Sequence, residues 1–169
     1  QASARPEEDA TVLGILDSML VDPPAPDYAT IDAAWQSSLA EEGRLIYGAD
    51  DAPVSAIEFF SFTCGHCANY SMPIEHLIAL EADTGRMRIE VAPIAGDEMA
   101  MRATEATLCA AEQGKGYSAY KALWDGYLTV GYEEAYSEEG VRTRLEPLGV
   151  DLTALDACMD TDTYGKALD

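Results

Sequence analysis

An apolar segment that ends at two closely spaced cysteines is the feature that most restricts the possible folds. Residues 54–62 are almost continuously apolar or aromatic, and the motif C-G-H-C at 64–67 follows at once. Such a run predicts a buried central strand. Residues 68–82 have the pattern of a helix, and residues 87–94 that of a further strand. The sequence therefore predicts a β-α-β unit with the C-x-x-C motif at the first strand-to-helix junction.

The two motif cysteines are predicted to have different roles. A helix N-terminus presents unpaired backbone N–H groups and the positive end of the helix dipole, so Cys64 is predicted to have a lowered pKa and to be the nucleophile. Cys67 lies one turn later on the same face and is predicted to be the resolving cysteine. His66, when protonated, is predicted to stabilise the Cys64 thiolate. The alternative for His66 is a loop histidine without a chemical role.

Glu58 is an unexpected acid within the apolar segment. A carboxylate buried in a strand must be paired, protonated or functional. We predict that Glu58 accepts the proton of Cys67 during thiol–disulfide exchange. The alternative is a glutamate on an exposed edge of the sheet.

Zinc binding is the other chemistry that a C-x-x-C motif permits. A structural zinc site needs a second pair of ligands, and neither Cys109 nor Cys158 belongs to another C-x-x-C or lies near a histidine. His76 is expected at the surface of the helix that follows the motif. The sequence therefore predicts neither a metal nor another cofactor.

Composition limits the possible partners. The 169 residues include 31 acidic and 10 basic side chains, for a formal net charge of -21, which repels phosphate backbones and excludes nucleic-acid binding. The acidic excess is expected to form solvated faces rather than a site for a basic partner. No apolar run approaches the roughly 18 residues of a membrane span. The even number of cysteines, four, favours an oxidising compartment.

The chain is predicted to be one α/β domain with three regions. Residues 1–43 would form an acidic leader and two helices, the second capped by Thr30. Residues 44–96 would contain the β-α-β unit and a short strand at 45–47. Residues 97–169 would be a helical insertion, in which Asp97 and Ser137 cap two of the helices.

The segment E-F-F-S-F-T-C-G-H-C at 58–67 resembles the DsbA-like thiol-disulfide oxidoreductases of the bacterial cell envelope. The similarity extends over about residues 50–160 and includes D-A-P-V at 51–54, T-G at 84–85 and L-C-A-A-E-Q-G at 108–114. It implies an α/β, thioredoxin-like fold with an inserted helical domain. It also implies the formation or exchange of disulfides in exported proteins, with protein or peptide thiols as substrates and a membrane redox partner. The expected location is the periplasm or another extracytoplasmic space, after removal of a signal segment.

The sequence departs from this family's pattern in two respects. The dipeptide between the cysteines is Gly-His, as in protein disulfide isomerase, whereas the best-known DsbA proteins have Pro-His. Those two proteins differ by about 60 mV in potential, or roughly 2.8 kcal/mol for two electrons. The chain also ends before the strand with a cis-proline that follows the insertion in the family. We therefore expect the C-terminal part of the sheet to be missing from these 169 residues, with an open edge available for another chain or for self-association.

The resemblance leaves the direction of electron flow open. The alternatives to a disulfide-forming enzyme are a disulfide reductase or isomerase and a non-catalytic, thioredoxin-like binding module with a structural disulfide. Cys109 and Cys158 are predicted to form a structural disulfide across the helical insertion, and the alternative is two buried free thiols. Such a bond closes a loop of about 50 residues, for which the chain-entropy model gives at most about 4 kcal/mol.

Overall fold

The computed structural model describes residues 6–18, 27–39, 45–81, 84–94, 96–161 and 164. Within these residues the chain forms three strands and eight α-helices, with a short 3₁₀ turn, Glu146–Leu148, after α7. In chain order the elements are α1 (Pro6–Ser18), α2 (Tyr28–Ser38), β1 (Leu45–Tyr47), β2 (Val54–Phe60), α3 (Gly65–Glu81), β3 (Met87–Pro93), α4 (Glu98–Glu112), α5 (Gly116–Val130), α6 (Tyr132–Ala135), α7 (Glu138–Leu145) and α8 (Leu152–Asp160).

The sheet has the strand order β1-β3-β2. Strand β2 pairs with β3 in parallel, from Val54 opposite Met87 to Phe60 opposite Pro93. Strand β1 pairs with the other side of β3 in the antiparallel direction. Helix α3 makes the crossover that a parallel pair requires. The predicted β-α-β unit is confirmed, with the cysteine motif between β2 and α3.

The prediction of a central strand at 54–62 is wrong in two ways. Strand β2 ends at Phe60, and within the described residues β3, not β2, is the strand with a partner on both sides. Burial alternates along β2, and the side chains of Ile57 and Phe59, on the face opposite Phe60, are 51% and 66% exposed. The N–H of Val54 and the C=O of Phe60 form hydrogen bonds on the β3 side of the strand. The N–H and C=O groups of every second residue between them therefore point away from β3. Strand β2 thus forms an open edge of the described sheet.

Side-chain caps define where several helices begin. Asp97 caps α4 by accepting hydrogen bonds from the N–H groups of Met99 and Ala100, and Ser137 caps α7, as predicted. The cap of α2 is Asp27 rather than Thr30. The Asp27 carboxylate accepts hydrogen bonds from both the N–H and the hydroxyl of Thr30, so the helix begins earlier than predicted.

The core lies between one face of the sheet and helices α2, α4 and α5. Aromatic side chains dominate it, and their rings meet mostly edge to face or at a tilt, the arrangements that ring quadrupoles favour. The fully buried aromatic residues are Trp35, Phe60, Phe62, Tyr117, Tyr120, Trp124 and Tyr136. Strand β2 delivers Phe60 to this cluster, and the turn after the strand delivers Phe62. The start of the cysteine motif is therefore anchored in the core.

Candidate active site

Cys64 lies at the junction between β2 and α3. Its N–H donates to the C=O of Ser61 over 2.9 Å, which closes a tight turn after the strand. Its own C=O accepts the N–H of Ala68 at 3.1 Å, the first hydrogen bond of the helix. Cys64 is therefore the N-cap residue of α3, and its partly exposed side chain stands where unpaired N–H groups collect.

The two thiols of the motif differ in environment. The structure describes the reduced form, with Cys64 and Cys67 both free. The Cys67 N–H lies 3.3 Å from the Cys64 sulfur, in the geometry of a hydrogen bond. The Cys67 thiol, this N–H and the N–H of His66 together lower the pKa of Cys64. Burial, the hydrogen bond with Cys64 and the nearby charges of Cys64 and Glu58 raise the pKa of Cys67. Cys64 is therefore the more acidic of the two thiols, which makes it the better candidate for the nucleophile.

Glu58 lies below the motif, on the β2 face that is directed towards the core. Burial raises its pKa to about 7, although the neighbouring Tyr120 hydroxyl opposes part of the rise. Its Oε2 atom is buried and has no hydrogen-bond partner among the described residues. Strand β2 is an edge strand, but the Glu58 side chain is largely withdrawn from water. A carboxyl group with this pKa can take up and release a proton at neutral pH.

His66 occupies the first turn of α3, with its side chain exposed to solvent. Its backbone N–H contributes to the lowered pKa of Cys64. The structure records no contact between its imidazole and either sulfur, so the predicted tuning role remains a prediction. His76 lies on the same helix, and its side chain falls outside the described part of the structure.

An apolar groove of about 360 Å³ opens beside the motif, between β2 and α3. Cys67 and His66 lie at one end of it. Its apolar lining comes from Ile57 and Phe59 of β2 and from Tyr70, Ile74 and Leu77 of α3. The groove therefore continues from the redox motif to the open edge of the sheet.

Comparison with known proteins identifies the family. A sequence model described as thioredoxin matches residues 40–168, which is most of the chain. The chain belongs to the thioredoxin family. No curated protein matches this chain in sequence at the level that would establish a relative.

Solved structures share its fold. The α-DsbA1 structure from Wolbachia pipientis is similar with a TM-score of 0.63 and 18% identity, over 89% of this chain and 68% of that one. A thioredoxin-like oxidoreductase from Silicibacter pomeroyi gives 0.61 and 21%, over 81% and 72%. MdbA, a thiol-disulfide oxidoreductase from Actinomyces oris, gives 0.58 and 18%, over 75% and 68%. The predicted thioredoxin-like fold with added helices is confirmed.

A disulfide joins Cys109 of α4 to Cys158 of α8. The two Cα atoms are 5.9 Å apart, and the Cys109 side chain is only 1% exposed. The sequence predicted a structural bond between these two cysteines. The bond connects the first and last helices of the region after β3.

The part of the chain that the structure describes contains no group of three or more His, Cys, Asp or Glu side chains placed to hold a metal ion. The zinc alternative therefore has no candidate ligand set among those residues. No helix in the same described ranges is long and apolar enough to cross a membrane.

Three residues that contact the motif or its neighbour were not predicted as site residues: Thr63, Asp97 and Tyr127. Thr63 donates a hydrogen bond to Asp97, which was predicted only as a helix cap. The Tyr127 hydroxyl of α5 approaches Gly65 so closely that a Cβ at that position would lie 3.2 Å from it. The partners are separated by 34 and 62 positions in the chain, and no local sequence pattern indicates such pairs.

Proposed function

We propose that this protein is a thiol-disulfide oxidoreductase that acts on protein or peptide thiols through Cys64 and Cys67. The observation that carries the proposal is the difference between the two thiols. Cys64 is partly exposed at a helix N-terminus with a lowered pKa, whereas the pKa of Cys67 is raised. This asymmetry favours exchange through a mixed disulfide at one accessible sulfur, and a structural disulfide has no need of it. The structurally similar proteins named above include thiol-disulfide oxidoreductases.

In the oxidising direction, a substrate thiolate attacks the Cys64 sulfur of the Cys64–Cys67 disulfide. The S–S bond breaks, a substrate–Cys64 mixed disulfide forms, and Cys67 leaves with the electron pair. A second substrate thiolate then attacks the substrate sulfur and releases Cys64 as a thiolate. The substrate has lost two electrons and the motif has gained them.

Glu58 is proposed to carry the proton of Cys67 in this sequence of steps. When Cys67 leaves as a thiolate, it receives a proton from the Glu58 carboxyl, whose pKa of about 7 keeps part of the population protonated at neutral pH. When the motif is oxidised again, the Glu58 carboxylate takes that proton back. His66 is proposed to stabilise the released Cys64 thiolate when its imidazole is protonated.

The proposed substrates are exported proteins, and the proposed location is the periplasm or another extracytoplasmic space. The Cys109–Cys158 disulfide supports this location, since such bonds persist mainly in oxidising compartments. Continued turnover requires a disulfide donor that reoxidises the motif, and we propose a membrane-bound one. We propose the same three regions as the sequence predicted, 1–43, 44–96 and 97–169. The cysteine motif lies in the second region. Self-association through the open β2 edge is a further proposal.

The deciding experiment is alkylation of the reduced protein at pH 6, with the modified cysteine located by mass spectrometry. We expect Cys64 to react first and Cys67 to remain largely unmodified. Cys64→Ser should abolish the oxidation of a dithiol peptide. In Cys67→Ser, the Cys64 thiolate can attack the disulfide of an oxidised peptide, one peptide sulfur leaves as a thiolate, and the mixed disulfide should persist because Cys67 is not there to resolve it. Preferential labelling of Cys67 contradicts the proposed roles.

Equilibration of the motif with a glutathione series then separates the remaining alternatives. A potential near that of DsbA, about -120 mV, indicates an oxidase, and one near or below about -180 mV favours an isomerase or reductase. A Cys64–Cys67 disulfide that resists glutathione would instead support a binding module without catalytic function.

A further inference from the structure

One carboxylate links the redox motif to the helices that follow the sheet. The Thr63 hydroxyl donates to Oδ2 of Asp97 over 2.6 Å, and Thr63 is the residue immediately before Cys64. The other oxygen of the same carboxylate, Oδ1, accepts the N–H groups of Met99 and Ala100 at 2.9 Å each. Asp97 therefore starts α4 and at the same time holds the neighbour of the nucleophile.

The turn that carries Cys64 is held at several points. The Ser61 C=O accepts the Cys64 N–H, and the hydroxyls of Ser61 and Thr63 lie 3.3 Å apart. Between them, Phe62 points inwards and its ring centroid lies 4.9 Å from that of Trp124. Phe62 thus fixes the inner side of the turn in the core. On the outer side, the Thr63–Asp97 hydrogen bond connects the turn to the start of α4.

We propose that Asp97, acting through Thr63, is a positioning residue that holds Cys64 at the N-terminus of α3. The inference rests on the proposed function, because it concerns how the nucleophile of that function is kept in place. The Cys64 sulfur receives the N–H of Cys67 only while Cys64 remains the N-cap of the helix. Loss of the hydrogen bond to Asp97 frees the outer side of the turn, and the sulfur then spends less time at that N–H.

The titratable groups around Cys64 come from four elements. Helix α3 contributes His66 and Cys67, the start of α4 contributes Asp97, α5 contributes Tyr127 beside Gly65, and β2 contributes Glu58 through its effect on Cys67. The Asp97 charge by itself disfavours a nearby thiolate. Loss of the hydrogen bond and loss of that charge therefore have opposite effects on Cys64, and the two must be separated by a pair of variants.

Thr63→Val removes the hydroxyl and leaves the Asp97 charge and the cap of α4 in place. We expect this substitution to lower the ratio of the Cys64 alkylation rate at pH 6 to the rate at pH 9 by about three- to five-fold. That factor is smaller than the full contribution of a hydrogen bond to a charged group. Because the thiolate stabilises the reduced motif, the equilibrium with glutathione should shift by a similar factor towards the disulfide. Thr63→Ser keeps the hydroxyl and should behave as the wild type.

Asp97→Ser supplies the matched background. Serine is a good N-cap, so α4 keeps its cap, but its side chain is too short to reach Thr63 as well. Thr63→Val should therefore have no further effect in Asp97→Ser. Thr30→Val is the control at a distance, because Thr30 makes the same kind of hydrogen bond, 2.8 Å long, to the N-cap residue Asp27 of α2. It should leave the pH profile of Cys64 unchanged.

The proposal is overturned if Thr63→Val leaves both the pH profile and the glutathione equilibrium unchanged, even when its melting temperature falls. It is also overturned if the effect of Thr63→Val persists in Asp97→Ser. If Thr63→Val does not fold, Thr63→Ala carries the same expectations, since Thr63 is not fully buried. A wild-type protein in which Cys64 does not react first contradicts the proposed function itself, which keeps the two failures distinct.

Discussion

Glu58 combines a buried carboxyl with a proposed role in proton transfer, and its burial has a cost that depends on pH. Its pKa is about 7 in the folded chain against 4.5 as the ordinary value. Below pH 4.5 the group is protonated whether the chain is folded or unfolded, so burial carries no charge penalty. Between pH 4.5 and about 7 the carboxyl ionises in the unfolded chain but stays protonated in the folded one, so stability falls as the pH rises and the loss is complete above about pH 7.

Glu58→Gln should therefore be increasingly more stable than the wild type as the pH rises. We expect the difference in the free energy of unfolding to grow by about 2–3 kcal/mol between pH 5 and pH 8. Urea unfolding of the reduced proteins at several pH values measures it. A difference that stays constant across this range would show that Glu58 titrates normally.

Gly65 and Tyr127 are predicted to be energetically coupled. Alanine in a helix is normally more favourable than glycine by up to about 1 kcal/mol. At position 65, however, the new Cβ would meet the Tyr127 hydroxyl at 3.2 Å. We expect Gly65→Ala to be neutral or destabilising in the wild type and stabilising in Tyr127→Phe, where the hydroxyl is gone. Urea unfolding of the four proteins gives the coupling energy, and equal effects of Gly65→Ala in both backgrounds would exclude it.

Helix α2 is attached to α5 by a buried carboxylate. Asp32 is 4% exposed and accepts the Ser118 N–H at 3.0 Å and the Ser118 hydroxyl at 2.5 Å. Asp32→Ala should destabilise the fold by about 2–3 kcal/mol, since both donors lose a charged acceptor. Ser118→Ala loses one of the two bonds and should cost less, by thermal or urea unfolding. The exposed hydrogen bond of Thr30 provides the control, and a loss no larger than in Thr30→Val would contradict the role of Asp32.

The helices after β3 should protect their disulfide from reductants that open the active motif. Cys109 is almost fully buried, whereas Cys64 is partly exposed. In the oxidised protein, mild dithiothreitol should therefore reduce Cys64–Cys67 well before Cys109–Cys158. Timed alkylation and mass mapping determine the order. Simultaneous reduction of both pairs would mean that α4 and α8 do not shield the bond.

Local patterns were sufficient to predict most of these elements. Asp97 and Ser137 marked the starts of α4 and α7 because capping depends on residues within three positions of each other. The strand at 54–60 was found, but its place in the sheet was not. An apolar run has the same sequence whether its outer face is covered or open, and the exposure of Ile57 and Phe59 depends on whether another element packs on that face of the sheet.

The candidate site was likewise predictable only where it depends on local sequence. Cys64 and Cys67 were identified from their spacing and from the helix that follows. The link from Thr63 to Asp97 and the approach of Tyr127 to Gly65 depend on how α4 and α5 dock against the β-α-β unit. Docking is decided by the summed packing of many side chains, so neither contact follows from the motif.

Across the whole molecule, the large negative charge opposes the tendency of an open sheet edge to find a partner. The 169 residues carry a net charge of -21, which makes copies repel one another. The β2 edge, with Ile57 and Phe59 exposed, favours pairing. Salt weakens only the repulsion, since the Debye length falls to about 3 Å at 1 M.

Self-association of these 169 residues should therefore increase from about 20 mM to 1 M sodium chloride, measured by sedimentation velocity. Ile57→Lys places a charge on the edge and should suppress the increase. Leu13→Lys is the matched control, because Leu13 is also exposed, at 62%, but lies on α1. An increase that is the same in Ile57→Lys as in Leu13→Lys would exclude the β2 edge as the interface.

The Cys109–Cys158 bond also determines how the chain bears tension. The two cysteines are 49 positions apart in the chain, so the segment with α5, α6 and α7 forms a closed loop. When the unfolded chain is pulled from its two ends, force passes through the sulfurs and that loop stays slack. At about 3.5 Å per residue, the oxidised chain is shorter at full extension by about 170 Å, a length that a reductant releases in one step.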